Sequence, residues 1–138
     1  MTWFGWALLS ALFAGATAVL AKIGVEDVDS NMATAIRTVV ILIFSWTIAF
    51  FTKSQPLSAI GKRTWIFLIL SGIATGMSWL CYFRALQLGE ASRVAPVDKL
   101  SVVVAIVLAA IFLHEHLTWH HWVGGLFIFT GAVVLAYA

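Results

Sequence analysis

Apolar residues run in five long stretches separated by brief polar joins, without the strict alternation that marks a half-buried strand. The stretches occupy residues 4–21, 32–51, 65–86, 94–113 and 119–137. At a rise of 1.5 Å per residue, about 20 residues cover roughly 30 Å, the thickness of a hydrocarbon core. Lipid offers no partner to backbone N–H and C=O groups, so helices are the solution for each stretch. The pattern predicts an all-α integral membrane fold of five transmembrane helices, forming one unit over residues 1–138. An odd number of crossings places the termini on opposite faces, A on the N-terminal side and B on the other.

The joins carry start and stop signals. Gly24 follows the first helix, and Asp29, Ser30 and Asn31 offer caps for the second. Gln55-Pro56 interrupts the next join, and Lys62, Arg63 and Thr64 introduce the third helix, with Thr64 as a candidate cap. Leu88-Gly89 reads as its end. Pro96 is expected in the first turn of the fourth helix, where a missing N–H costs little, and Thr118 is expected to cap the fifth. The first stretch has Trp3 and Trp6 where a leader peptide has basic residues, and four more stretches follow, so it is expected to stay in the mature protein.

Composition agrees: 62% hydrophobic against 10% charged residues does not build a water-facing surface. A mean hydropathy of +1.02 leaves little chain for an extramembrane domain. The formal charge of +2 is small and dispersed, which argues against a nucleic-acid partner. Cys81 is the single cysteine and forms no internal disulfide. Basic residues are nearly balanced across the joins. Lys53, Lys62 and Arg63 fall on face A, and Lys22, Arg84 and Arg93 on face B, with Arg37 and Lys99 somewhat deeper. The positive-inside rule needs a bias, so this balance permits insertion in both orientations. Tryptophans 3, 6, 46, 65, 119 and 122 fall toward face A as interfacial anchors, with Trp79 nearer B.

Candidate chemistry begins with charges in or near the spans, where isolation is expensive. Arg37, Arg84, Asp98 and Lys99 all lie toward face B and would line one wet vestibule if their helices converge, with Glu90 and Arg93 at its rim and Lys22 nearby. Long basic side chains can instead snorkel to headgroups, the reading preferred for Arg84 and Arg93. Asp98 and Lys99 are sequential and point to different helical azimuths, so contacts to separate helices are expected over a direct pair. Arg37 and Lys99 suit a carboxylate, and Asp98 suits an amino group or an exchanged proton. Trp79 and Tyr82 are further substrate-facing candidates, the phenol joining apolar area to a polar handle. Most hydroxyls in the spans, such as those of Thr47 and Thr75, are expected to bond their own helix carbonyls.

His114, Glu115, His116, His120 and His121 form the one cluster that resembles metal ligands. A helix start at Thr118 separates His116 from His120, so the cluster is expected to sit in a loop or meet headgroups, with no metal and no cofactor. No nucleophile elbow, phosphate-binding loop or dinucleotide fingerprint is present, and enzymatic activity is not expected. Small residues four apart, Gly72 and Gly76 above all, are spaced for helix packing within or between chains.

Tyr82-Phe-Arg-Ala-Leu86, Ala91-Ser92, Pro96-Val97 and Phe112-Leu-His-Glu115-His-Leu-Thr118, followed by Gly124-Gly125 and Gly131, resemble the EamA unit of the drug/metabolite transporter superfamily. The resemblance implies a permease domain that commonly occurs twice, in inverted orientation, in a ten-helix protein. With one unit present, it implies a homodimer, and dual insertion would make that pair antiparallel with the same ten-helix inverted-repeat symmetry. It also makes Gly124, Gly125 and Gly131 candidates for close packing. The expectation is a secondary transporter, and by resemblance an exporter, of a small polar or amphipathic metabolite such as an amino acid. The expected setting is the lipid bilayer of a cell membrane, of the bacterial inner-membrane type. The alternative is a non-transporting scaffold or a partner subunit of a heteromeric transporter.

Overall fold

The computed structural model describes residues 2–52 and 54–138, so Lys53 of the face A basic set lies outside the described residues. The helices are α1 (Trp3–Gly24), α2 (Ser30–Phe51), α3 (Lys62–Leu88), α4 (Ala91–Asp98), α5 (Leu100–Phe112) and α6 (Trp119–Ala136), with a 3-10 turn at Leu57–Ala59. Among the described residues, with Ala91–Phe112 taken as a single span, five stretches are helical, long and apolar enough to cross a membrane. The all-α, multi-pass architecture follows directly from the five apolar runs.

Two compact units divide the chain, one of residues 24–87 and the other of residues 1–23 with 88–138. In the 24–87 unit, α2 starts where Asp29 Oδ2 accepts from the N–H groups of Asn31 at 3.0 Å and Met32 at 3.2 Å. Ser30 and Thr34 are buried, and hydroxyls climb this helix by back-bonding: Thr34 to the Ser30 carbonyl at 2.8 Å and Thr38 to that of Thr34 at 2.7 Å. Thr47 and Thr75 bond their own helices in the same manner, as expected for hydroxyls in lipid. Val25, Phe83 and Leu86 form the buried apolar positions of this unit, and Gln87 Nε2 donates to the Val28 carbonyl at 3.0 Å.

Helix α3 begins three residues earlier than its apolar run. The Gly61 carbonyl accepts from Trp65 N–H at 3.2 Å, so Thr64 lies inside the first turn and is not the cap. Hydropathy marks the part of a helix that meets hydrocarbon, and the polar first turn continues beyond it.

In the other unit, α4 and α5 both pack on α6. Ala18, Ala21 and Ala132 are buried, as is Gly125, where an added Cβ would lie 3.9 Å from Ile106 Cδ1. Small residues allow this close approach of helices without a hydrophobic driving force between them. Thr118 caps α6 as expected, and its N–H donates to His121 Nδ1 at 3.1 Å.

Pro96 departs from expectation. The Glu90 carbonyl accepts from Arg93 and Val94 N–H groups at 3.0 and 2.9 Å, so α4 starts at Ala91 and Pro96 falls in its second turn. There the missing N–H removes a donor from the Ser92 carbonyl. Lys99 N–H then bonds the Pro96 carbonyl at 3.1 Å in a tighter turn, and Val102 N–H bonds the Lys99 carbonyl at 3.0 Å. The fourth span is therefore two helical rods joined at Lys99.

Candidate functional site

Arg37 is the eighth residue of α2, roughly 10 Å along the helix from its start. Its guanidinium carbon lies 4.5 Å from the centroid of the Trp79 ring and 5.3 Å from that of Phe83. Trp79 and Phe83 are four residues apart on α3 and so share one helix face. Phe83 is buried, Trp79 and Arg37 are half-buried, and Tyr82 lies within electrostatic range of the guanidinium. One of the expected residues, Trp79, thus stacks on another, Arg37. Phe83 was not singled out from sequence, although its spacing from Trp79 was a usable signal.

Magnitudes show what this arrangement leaves undone. A cation at the centre of a span costs about 2.5–3.5 kcal/mol on insertion scales, an upper bound for Arg37 a third of the way along α2. A cation–π contact returns about 0.5–2 kcal/mol. The ion pairs among the described residues join Arg93 to Glu90 and Lys99 to Asp98, and neither involves Arg37. The aromatic stack covers the flat face of the guanidinium and supplies no acceptor to its N–H edge.

Asp98 and Lys99 stand in the other unit, at the joint between α4 and α5. The expectation that they would seek separate partners is overturned: Lys99 Nζ donates to Asp98 Oδ2 at 3.4 Å. Sequential residues diverge in azimuth along a continuous helix, and the tighter turn at Lys99 interrupts that helix. The Lys99 side chain is 55% exposed and that of Asp98 35%, which keeps the pair accessible at the helix break. Discontinuous helices with ionisable residues are a recurring way to present polar groups at membrane depth.

Three further basic residues lie near helix ends. Arg84 Nη1 donates to Gln87 Oε1 at 2.7 Å, Arg93 Nε lies 3.5 Å from Glu90 Oε2, and Lys22 Nζ donates to the Gly89 carbonyl at 3.0 Å. The Arg84 and Arg93 contacts are local, three residues apart in each case, whereas Lys22 reaches a carbonyl 67 residues along the chain. His121 serves the Thr118 cap, and His114 adopts a left-handed φ of 53° just beyond α5. Among the described residues no group of three His, Cys, Asp or Glu side chains is placed to hold a metal.

Four of the five singled-out glycines, Gly72, Gly76, Gly124 and Gly131, have open space where a Cβ would stand, whereas Gly125 meets Ile106. A cleft of about 440 Å³ opens beside α5 and α6, lined by Ile106, Trp122, Leu126 and Phe129 among others. Its apolar walls include none of Asp98, Lys99 or Arg93.

The model of the EamA-like transporter family matches residues 1–137. An uncharacterized transporter in the cobO 3′ region of Sinorhizobium sp. is 54% identical over 136 residues, covering 98% of this chain and 96% of that protein. A probable 4-amino-4-deoxy-L-arabinose-phosphoundecaprenol flippase subunit, ArnE of Aeromonas salmonicida, is 30% identical over 83 residues, 60% of this chain and 73% of that protein. The uncharacterized transporter YvbV of Bacillus subtilis is 34% identical over 115 residues, 83% of this chain but 37% of that longer protein. No solved structure matches the chain.

Proposed function

The chain belongs to the EamA-like transporter family, and from that premise we propose that it is a secondary transporter exporting a small polar or amphipathic metabolite, such as an amino acid. The observation that carries this reading is Arg37, a cation held on an apolar span by aromatic rings and given no acidic partner among the described residues. A purely structural charge in lipid is expected to be paired, whereas a transport route needs a polar group that can meet cargo. Asp98 and Lys99 support the same reading from the other unit, as ionisable groups at a break in a span.

One five-helix unit is half of the ten-helix arrangement that the family resemblance implies. Pairing of two copies, antiparallel if both orientations insert, would enclose the polar residues around a water-filled route and let alternating access operate by rocking one copy against the other. Gly72, Gly76, Gly124 and Gly131, with open space beside them, are the positions offered for close approach of a second chain. The proposed location is the bacterial inner membrane.

A second reading is a partner subunit of a heteromeric transporter, favoured by the similarity to a protein named as a flippase subunit. The two readings part in proteoliposomes containing this chain alone and loaded with a broad metabolite mixture. Saturable release above that of empty liposomes supports the homomeric transporter. Release that begins only when a second short family member is added supports the heteromer.

A further inference from the structure

We propose that Arg37 recognises an oxyanion, a carboxylate or phosphate carried by the transported molecule, while Trp79 and Phe83 hold the guanidinium in the orientation that receives it. The inference rests on the transport reading and narrows its substrate class. A guanidinium is planar, with its N–H donors directed outward in that plane. Stacking over Trp79 at 4.5 Å and Phe83 at 5.3 Å uses the face of the plane and leaves the donor edge for another group. Among the described residues no carboxylate takes that edge, since Glu90 pairs with Arg93 and Asp98 with Lys99.

The fork geometry selects the chemistry. Two parallel N–H donors match two oxygens of a carboxylate or phosphate, and the bond is charge-assisted. An ammonium ion is repelled, and a neutral hydroxyl accepts one such bond without compensating the charge. The cost of holding the cation within the span, which the rings offset only in part, makes an oxyanion the group that gains most there. Phe83, almost fully buried, keeps the second ring in a fixed position, so Trp79 and Phe83 act as positioning residues.

The test uses the full chain in nanodiscs and phenylglyoxal, which modifies guanidinium groups, with labelling of Arg37 read by mass spectrometry against Arg84 as an internal reference. Four conditions are compared: phosphatidylcholine discs in sodium chloride, sodium phosphate or sodium acetate of equal ionic strength, and discs containing phosphatidic acid in sodium chloride. Phosphate or acetate is expected to slow Arg37 labelling about threefold at twice its dissociation constant. Slowing by phosphatidic acid alone assigns the oxyanion to a lipid headgroup or lipid-linked cargo. Trp79→Leu is expected to weaken the protection and Trp79→Phe to keep part of it. Equal labelling in all four conditions, or no labelling of Arg37 in chloride, overturns the proposal. Flux without protection would remove the oxyanion and leave transport standing, whereas protection without flux in any assembly would do the reverse.

Discussion

The Arg37 guanidinium stands 4.5 Å from the centroid of the Trp79 ring, joining α2 to α3 through a cation–π contact inside two apolar helices. Leucine at position 79 would keep apolar volume and remove the π face. Trp79→Leu is therefore expected to raise the KM for transport about 2- to 30-fold, the range a contact of this kind covers, with Trp79→Phe between it and the native protein. An unchanged KM in a folded Trp79→Leu protein would reduce the stack to packing.

Asp98 and Lys99 form a pair at the broken fourth span, so their effects are expected to be coupled. Asp98→Asn leaves an uncompensated lysine and Lys99→Gln an uncompensated carboxylate. The double variant leaves neither. Thermal unfolding in detergent should show each single variant less stable than the double, with a coupling of about 0.2–1 kcal/mol appropriate to a pair this exposed. Additive losses would mean that the contact contributes nothing, and that each residue acts through other partners.

His114 occupies the left-handed region at φ 53°, where a non-glycine residue carries strain of about 1–2 kcal/mol. Glycine adopts that conformation without the steric cost but loses more backbone entropy on folding. His114→Gly is expected to raise the unfolding temperature slightly, by a net gain of up to about 1 kcal/mol, with transport unchanged. A fall in flux at full stability would instead give the His114 side chain a part in the route.

Features written in local chemistry are legible in the sequence. The five spans follow from hydropathy alone. The caps at Asp29 and Thr118 follow from side chains that bond backbone groups two or three residues away. Pro96 was misplaced because the start of α4 depends on the Glu90 carbonyl, a main-chain acceptor with no signature of its own. The Asp98–Lys99 pair is hidden for a similar reason: the turn at Lys99, where the N–H bonds the Pro96 carbonyl three residues back, is a main-chain feature with no side-chain signature. Arg37 announced itself as a charge in an apolar run, but periodicity could not say which turn of α3 would face it. Phe83 was hidden there, as one aromatic among many in a chain where 14% of residues are aromatic.

Transport through a route that uses Arg37 is the central claim, and flux from metabolite-loaded proteoliposomes tests it most directly. Arg37→Ala is compared with native protein and with Arg84→Ala, which removes an equal charge from a residue bonded to Gln87 at the end of α3. With all three proteins folded and equally inserted, saturable flux is expected to fall roughly 10-fold or more in Arg37→Ala, the loss of a charge-assisted hydrogen bond, and to hold within about twofold in Arg84→Ala. Equal flux from Arg37→Ala and native protein would contradict the account.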